Sequence, residues 1–326
     1  MNETLKVALI GNPNTGKSSL FNALTGLRQK VGNFPGITVD KSTGFFSLPD
    51  GRTAELTDLP GTYSLFPKSL DEAVPLDILL DRNHKQHPEL VLYIADASNL
   101  KRNLVLLTQI IDLELPVILV LNMIDQAEAK GIKIEIACMQ ETLGIPVVAV
   151  NARKRKGIPQ VIEMIQNGGK VSASRFLNTE KILRFPLREL VPAGEEENPH
   201  HTSYSLLLKL QQATITQTKK TARPGFDAFR KNYNFDSGEY QRDDLLYRYR
   251  AVNKILATCV NEEENSRFKR HQQKLDAILT HKIGGYIIFF LILFIVFQAI
   301  FTWAQYPMDL IESIFSQFAI WTGNTL

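Results

Sequence analysis

The chain has 326 residues, enough for about two domains of roughly 150 residues, each with its own core. Its charged fraction of 22% and hydrophobic fraction of 44% are ordinary for globular protein and exclude bulk disorder. The net charge of +3 is too small to indicate nucleic-acid binding, and we expect no nucleic-acid partner.

Cysteine usage and the N-terminus indicate the compartment. The two cysteines, Cys138 and Cys259, lie far apart without a C-x-x-C spacing. This usage is typical of a reducing compartment and excludes a disulfide scaffold or a zinc site built from cysteines. The first residues, MNETLKVALIG, lack the basic and apolar regions of a signal peptide. We therefore expect the bulk of the chain to lie in the cytoplasm.

The first half of the chain has the pattern of an α/β domain with a mostly parallel sheet, which we place at residues 1–170. Short apolar runs predict strands buried on both faces: LKVALIG, TAELTDL, LVLYIADA, PVILVLNMID and IPVVAV. Helical segments such as KSSLFNALTG and NLKRNLVLLTQIIDL lie between them. Residues 44–52, with the turn Pro49-Asp50-Gly51, predict an antiparallel hairpin between two edge strands.

A helical region and one long apolar segment follow. After Gly168-Gly169 the strand pattern ends, and residues 171–282 predict an all-α spacer domain. Residues 283–304 carry no charge, and as a helix of roughly 33 Å they could cross a hydrocarbon core of about 30 Å. Basic residues precede this predicted transmembrane helix and none follows it, which places its N-terminal side in the cytoplasm. Residues 305–326 predict an interfacial helix or a truncated membrane segment.

A phosphate-binding motif lies between the first predicted strand and the first predicted helix. Residues 11–18, GNPNTGKS, match G-x-x-x-x-G-K-[ST] in the strand–loop–helix setting that this motif requires. The backbone amides of such a loop surround a phosphate chain. Lys17 would neutralise the β- and γ-phosphates, and Ser18 would ligate Mg²⁺. The predicted fold is therefore an α/β P-loop nucleotide-binding domain, which is a P-loop GTPase if the base is guanine.

Further motifs, in the expected order, identify the base as guanine. Asp58 in DLPG can reach Mg²⁺ through water, and the Gly61 amide can sense the γ-phosphate. Thr38 in NFPGITVD can close over Mg²⁺ and the γ-phosphate. Asp125 in NMID can accept hydrogen bonds from the guanine N1–H and exocyclic amine, which adenine cannot offer. Residues 151–153, after IPVVAV, offer a backbone N–H to guanine O6.

The predicted site has three overlapping sets of residues. The nucleotide contacts are Gly11, Asn12, Pro13, Asn14, Thr15, Gly16, Lys17, Ser18, Ser19, Gly36, Ile37, Thr38, Asp58, Leu59, Pro60, Gly61, Asn122, Met123, Asp125, Asn151, Ala152 and Arg153. Catalytic roles are expected for Asn14, Lys17, Thr38 and Gly61. The expected metal ligands are Ser18, Thr38 and Asp58 for Mg²⁺, and Asn14 for K⁺.

Two residues depart from the commonest small-GTPase pattern and affect catalysis. Met123 stands where a lysine usually packs over the base, so its thioether must cover guanine. Thr62 stands where Ras-like proteins carry the glutamine that orients the attacking water, so intrinsic hydrolysis should be slow or use another device. Asn14, with carbonyls after Gly26, could hold K⁺ against the phosphates and stabilise transition-state charge. The alternative is that Asn14 only orders its own loop.

Taken together, these motifs make the chain similar to the ferrous iron transport protein B family of bacteria. The resemblance rests on GNPNTGKSSLFNALTG, VGNFPGITVDK, DLPGTYSL, LNMIDQAE and the stretch KLDAILTHKIGGYIIFFLILFIVFQ. It implies a cytoplasmic GTPase domain, a helical spacer (GDI-like) domain that favours GDP binding, and a membrane permease for Fe²⁺. The family's methionine in the guanine motif matches Met123. Its potassium-binding asparagine matches Asn14, and its switch threonine matches Thr38.

The end of the sequence departs from the family. Family members continue through several more membrane helices, whereas this sequence stops at Leu326 after one predicted span. One helix cannot line a pore and seal it from lipid. We therefore expect a fragment or truncated product that carries the GTPase part, located at the bacterial inner membrane with its N-terminal domains in the cytoplasm.

Two functions from different classes stay open on the sequence alone. The favoured one is the GTP-binding and GTP-hydrolysing part of a ferrous iron transporter, in which switch movement gates transport. Its partners would be guanine nucleotide, membrane lipid, the remaining permease helices, small accessory transport proteins and a second copy in a homo-oligomer. The alternative is a membrane-anchored regulatory GTPase switch without transport activity. Further hydrophobic spans encoded beyond Leu326 would favour transport, and an authentic stop codon would favour the anchored switch.

Overall fold

The computed structural model of the chain has two compact units, residues 1–263 and 264–326. The residues that it describes are 4–26, 29–33, 40–67, 70–82, 84–177, 179, 203–215, 231–233, 235–262, 278–281, 283–303 and 305–325. Residues 171–263 of the predicted helical domain lie in the first unit together with the α/β domain, and residues 264–282 lie in the second. A boundary between these two parts near residue 170 stays a prediction.

A seven-stranded, mostly parallel sheet forms the centre of the first unit. Its strands are β1 (Thr4–Gly11), β2 (Gln29–Asn33), β3 (Asp40–Ser47), β4 (Thr53–Asp58), β5 (Leu90–Asp96), β6 (Val117–Asn122) and β8 (Val147–Ala149). Their spatial order is β2-β3-β4-β1-β5-β6-β8. The pairings of β1 with β4, β1 with β5, β5 with β6, and β6 with β8 are parallel. The predicted α/β class and the five predicted strands are confirmed.

The predicted hairpin forms between β3 and β4, closed by hydrogen bonds from Leu48 N to the Arg52 carbonyl (2.8 Å) and from Gly51 N to the Leu48 carbonyl (3.0 Å). Its predicted place at the edge of the sheet is wrong. The edge is β2, which pairs antiparallel with β3, while β4 pairs with the central strand β1. The sequence of β2, QKVGN, has one apolar side chain in five and so carries no strand pattern.

Helices cover both faces of the sheet and divide the core in two. One cluster of buried side chains joins the sheet to α1 (Lys17–Thr25) and α6 (Ile158–Gln166). The other joins it to α2 (Leu70–Leu80), α3 (Leu100–Ile111) and α5 (Ile136–Leu143). Nearly every residue of α3 is buried, because this helix lies between the sheet and the helical region.

The helical region packs against α3 and ends in a short strand. Its long described helices are α7 (Ser203–Ile215) and α8 (Ser237–Cys259), and both contribute to the core that contains α3. A strand β9 (Val260–Glu262) follows α8 and pairs antiparallel with β7 (Ile132–Ile134), which comes after α4 (Ile124–Ala129). The prediction of a purely helical region missed this strand because three residues are too few to show periodicity.

The two cysteines form a disulfide, which corrects the expectation that they stay apart as reduced thiols. Cys138 in α5 is bonded to Cys259 at the end of α8, across 121 residues of sequence. Sequence spacing could not show this, because the tertiary packing of the two helices brings the Cα atoms to 5.4 Å.

The second unit contains the apolar segment. Its helices are α9 (Gly284–Gln298) and α10 (Gln305–Thr325), with a π-helical turn at Ala299–Trp303 between them. Among the described residues, one helix, Gly284–Phe318, is long and apolar enough to cross a membrane, and an 18-residue stretch of it has a mean hydropathy of 2.6. The interfacial role expected for residues 305–326 stays a prediction.

Candidate nucleotide site

The phosphate-binding motif forms the turn between β1 and α1. Asn14 (φ 66°) and Gly16 (φ 86°) have left-handed backbone conformations, and Gly16 caps α1. A Cβ on Gly16 would lie 2.2 Å from Nδ2 of Asn122, so glycine is required there. The Thr15 hydroxyl donates to the Asn12 carbonyl at 2.9 Å. The loop therefore leads straight into a helix N-terminus, where backbone N–H groups bind phosphate.

Asn12 is held by residues that the motif did not reveal. Its Nδ2 donates to the carbonyl of Arg102 at 3.3 Å, and its Oδ1 lies 3.1 Å from the hydroxyl of Tyr93. That hydroxyl also lies 2.5 Å from the carbonyl of Asn103. Burial raises the pKa of Tyr93 well above its usual value, so it stays a donor. The start of α3 is thereby attached to the phosphate loop.

Lys17 and Asp58 are in contact between the phosphate loop and the end of β4. Nζ of Lys17 donates to Oδ1 of Asp58 at 2.5 Å, and both side chains are largely buried, at 16% and 17% exposed. Burial raises the pKa of Asp58, and the ammonium of Lys17 opposes that rise. The predicted phosphate-binding cation and the predicted Mg²⁺ carboxylate therefore lie side by side.

The DLPG segment lies against the phosphate loop. Leu59 is buried, and its N–H donates to the Leu9 carbonyl at 3.0 Å. A Cβ on Gly61 would be 3.3 Å from the backbone nitrogen of Pro13. The close approach of Gly61 to this loop is what a γ-phosphate sensor needs. Pro60, between them, is partly buried.

The side chain of Thr62 is held within its own turn. It is buried, and its hydroxyl donates to the carbonyl of Ser64 at 2.8 Å, within its own turn. The next residue, Tyr63, is exposed and lies under the guanidinium of Arg102, 3.9 Å from the ring centroid. These contacts agree with the expectation that Thr62 does not replace the glutamine of Ras-like proteins.

Asn122 connects the phosphate loop to the loop after β8. Its Nδ2 donates to the carbonyl of Thr15 at 2.9 Å, and its Oδ1 accepts from the N–H of Ala152 at 3.0 Å. The side chain is buried, so both bonds are shielded from water. One amide thus connects its own motif to the phosphate loop, 107 residues before it, and to the loop after β8, 30 residues after it.

Asp125 follows Asn122 at the start of α4 and is accessible. Its carboxylate is 42% exposed and accepts from Nζ of Lys154 at 2.9 Å. This hydrogen bond holds the pKa of Asp125 below its usual value, so the group is an ionised acceptor. Met123 has a left-handed backbone (φ 60°), and its side chain lies close to Gly16. Lys154 was not among the predicted site residues, although it lies one residue after the predicted 151–153 segment.

The loop of residues 151–153 has a fixed shape. Oδ1 of Asn151 accepts from the N–H of Lys154 at 2.9 Å, and its backbone pairs with Lys156. The N–H of Ala152 is already directed to Asn122. Which N–H of this loop meets guanine O6 stays a prediction, as does a base contact of Arg153.

Some of the predicted metal ligands lie among the described residues. The hydroxyl of Ser18 and the carboxylate of Asp58 are hard oxygen ligands, which suit Mg²⁺. Asn14 and Ser19 are exposed, and the side chain of Asn14 makes no hydrogen bond to another described residue. Gly36, Ile37 and Thr38 lie outside the described residues, so their predicted contacts to nucleotide and Mg²⁺ have no structural counterpart here.

A buried polar network joins the segment after DLPG to the helical region. Oε1 of Gln109, on α3, accepts from the N–H of Leu65 at 2.8 Å, and its Nε2 donates to Oδ2 of Asp244 on α8 at 3.3 Å. Nε of Arg248 lies 3.0 Å from Oδ1 of Asp244, and its Nη1 lies 2.7 Å from Oδ2 of Asp112. None of these residues was among the predicted site residues. The one indication in the sequence was Gln109, a polar side chain within the apolar run LLTQII.

The chain is similar to proteins of one known family. Residues 5–165 match the family model of ferrous iron transport protein B. A cytosolic domain of the T. maritima FeoB iron transporter in a GDP form is 31% identical, with a TM-score of 0.64, and covers 80% of this chain and 100% of that domain. The chain belongs to the ferrous iron transport protein B family. Its first unit contains the GTPase domain of that family.

The chain also matches parts of longer relatives. The chain is 32% identical over 330 residues to the Fe(2+) transporter FeoB of Leptospira biflexa, covering 98% of this chain and 47% of that protein. It is also 32% identical to an Fe(2+) transport protein A/FeoB fusion protein of Porphyromonas gingivalis, covering 95% of this chain and 38% of the fusion. The chain therefore spans about half or less of these relatives.

Proposed function

We propose that the first unit binds GTP with Mg²⁺ and hydrolyses it slowly, as the nucleotide-driven part of a ferrous iron transporter. The observation that carries this proposal is the amide of Asn122, which joins the phosphate loop to the base loop beside the accessible carboxylate of Asp125. The GDP and GMPPNP forms of the T. maritima relative support a guanine nucleotide as ligand.

In the nucleotide complex, Lys17 would exchange Asp58 for the β- and γ-phosphates. Asp58 would then be released to hold Mg²⁺ through water, with Ser18 as a direct ligand. Mg²⁺ supplies charge neutralisation for the phosphoryl group that is transferred. The Gly61 amide would contact the γ-phosphate. Loss of the γ-phosphate after hydrolysis would release the turn that begins at Thr62.

Base selection gives the sharpest test. Asp125→Asn removes a charged acceptor of two hydrogen bonds, so GDP affinity should fall about 100-fold or more, while xanthosine diphosphate should gain. Calorimetry of the full chain in detergent micelles, with Mg²⁺ and each nucleotide, measures both. Asp243→Asn, exposed on α8, is the matched control and should change neither. An unchanged preference for guanine in Asp125→Asn would show that the base site is misassigned.

Potassium stimulation is a separate part of the proposal. The exposed Asn14 side chain, which is not engaged in ordering its own loop through a described hydrogen bond, is available to bind a cation beside the phosphates. GTP hydrolysis by the wild type should be about tenfold or more faster in KCl than in NaCl, and Asn14→Ala should abolish the difference. Equal rates of both proteins in both salts would remove this role, and an unchanged GDP affinity would exclude misfolding.

Coupling to transport would pass through the helical region. The side chain of Gln109 accepts from the N–H of Leu65 and donates to the carboxylate of Asp244. Movement of the segment that follows Gly61 would therefore change a contact with α8. Fe²⁺ uptake by cells that express the complete gene, with Lys17→Ala beside the wild type, tests this role. Partners proposed with it are lipid, further permease helices of the same transporter, a second copy, and accessory proteins, for which the fused relative is an indication.

The alternative is a membrane-anchored GTPase switch without transport. The single membrane-spanning candidate among the described residues, Gly284–Phe318, is compatible with an anchor at the bacterial inner membrane. The DNA that follows the codon for Leu326 distinguishes the two: further hydrophobic spans support transport, and their absence supports the anchored switch.

A further inference from the structure

We propose that Cys138 and Cys259 form a reversible thiol–disulfide site that accepts small disulfide oxidants of the glutathione type and restrains β9 on the nucleotide-binding domain. Cys138 lies in the first turns of α5, and Cys259 is the last residue of α8. The bond therefore joins the GTPase domain to the helical region at the point where the first unit ends. Its effect on nucleotide release rests on the proposed function, whereas the thiol chemistry does not.

Contacts other than the disulfide hold the two cysteines together. The N–H of Glu135 donates to the carbonyl of Cys259 at 2.9 Å, and Nδ2 of Asn261 donates to Oε1 of Glu135 at 3.0 Å. Antiparallel pairing of β7 with β9 continues this attachment. Because these bonds place the sulfur atoms opposite each other, the disulfide can form and break without a large rearrangement of either helix. This is the condition for a reversible site.

The two cysteine residues differ in burial, which suggests the order of the reaction. Cys138 is partly exposed, whereas Cys259 is fully buried. The Cys138 thiolate would attack the oxidant disulfide and release one small thiol, leaving a mixed disulfide on Cys138. The Cys259 thiolate would then attack the Cys138 sulfur and release the second small thiol. The protein loses two electrons and two protons, and the oxidant is reduced to two thiols.

The place of α5 in the chain connects this bond to the base site. The chain runs from Asp125 through α4, β7 and α5 to β8 and then to residues 151–153. Both base-recognition loops therefore flank the segment that carries Cys138. Fixing this segment to α8 should reduce its opening, so the oxidised protein should release GDP more slowly than the reduced protein. In the cytoplasm such a bond would be transient and redox-sensing.

Thiol counting tests the site without nucleotide. The full chain in detergent micelles is equilibrated with mixtures of oxidised and reduced glutathione, quenched in acid and labelled with a maleimide polymer after denaturation. We expect both thiols to disappear together as the mixture becomes oxidising and to return when it becomes reducing. Cys259→Ser should accumulate glutathione on Cys138, and Cys138→Ser should accumulate far less on the buried Cys259. Two free thiols at every ratio, or equal glutathione adducts in the two variants, would overturn the proposal.

Hydrogen exchange and nucleotide release test the restraint. Reduction should raise amide exchange in β7 and β9 by about tenfold or more, and Cys138→Ser should exchange fast under both conditions. Thr142→Val, which keeps both cysteines but removes the hydroxyl near both sulfurs, should still respond to reduction. Release of a fluorescent GDP should be slower from the oxidised wild type and redox-independent in Cys138→Ser. No binding of GDP in any state would refute the proposed function alone, while redox-independent exchange in β9 would refute the restraint.

Discussion

Replacing Arg248 by methionine should destabilise the first unit strongly and in a pH-dependent way. The guanidinium is fully buried between Asp244 and Asp112, both of which are also buried, and it lies over the ring of Tyr204. Methionine keeps most of the apolar stem but leaves two carboxylates without their cation. Removing one partner of a buried ion pair costs about 3–5 kcal/mol.

Two remaining hydrogen bonds set the magnitude within that range. Asp112 still accepts from the N–H of Phe176 at 2.8 Å, and Asp244 still accepts from Gln109 at 3.3 Å. Neither carboxylate is fully orphaned, so we expect the lower part of the range, about 3–4 kcal/mol at pH 8.

The pH dependence follows from the direction of the pKa shifts. Burial raises the pKa of Asp112 and Asp244 above the ordinary value of 3.8, and Arg248 opposes the rise in both. A carboxyl with a raised folded-state pKa makes its full contribution to the stability of the fold below pH 3.8. That contribution is lost as the pH rises through the folded-state pKa. Without Arg248 both pKa values rise further. Keeping a carboxyl protonated costs about 1.4 kcal/mol for each pH unit above its ordinary pKa, so this cost is smaller at pH 5 than at pH 8. The loss of stability in Arg248→Met should therefore be smaller at pH 5 by at least about 1.4 kcal/mol.

The free energy of unfolding can be measured by pulse proteolysis of the full chain in urea and detergent micelles, at pH 5 and at pH 8. Arg250→Met, exposed on the same helix, is the matched control and should stay within about 0.5 kcal/mol of the wild type. A deficit below about 1 kcal/mol for Arg248→Met at pH 8, or the same deficit at both pH values, would refute the reasoning.

Two further predictions concern the connection to α8 and a strained turn. Gln109→Leu leaves the Leu65 N–H without its acceptor and should speed GDP release about tenfold, as measured by stopped-flow fluorescence. The control is Thr108→Val at the buried neighbouring residue, which should not change the rate of GDP release. Gly157→Ala places a Cβ 2.6 Å from the Ala149 carbonyl at φ 81° and should cost about 1–3 kcal/mol more than Gly51→Ala, where φ is 86° and the space is open. Equal losses of stability in the two glycine variants, or equal GDP release from the Gln109 and Thr108 variants, would contradict these predictions.

The sequence by itself determined the α/β fold and the nucleotide motifs. Continuous apolar runs such as β5 and β6, bounded by turn residues, predict strands buried on both faces, and their carboxyl ends carry the predicted nucleotide-binding loops. The order of GNPNTGKS, DLPG and NMID then predicted the site, because each motif depends on local backbone geometry that its own residues dictate.

Only the tertiary structure decided which distant side chains meet. Gln109, Lys154 and Arg248 have ordinary local patterns, and their partners lie 44 residues (Leu65), 29 residues (Asp125) and, for Asp112, more than a hundred residues away. The pairing of β2 with β3, the pairing of β9 with β7 and the Cys138–Cys259 bond have the same cause. Contacts of this kind depend on how helices pack across the sheet, and periodicity within one segment carries no information about that packing.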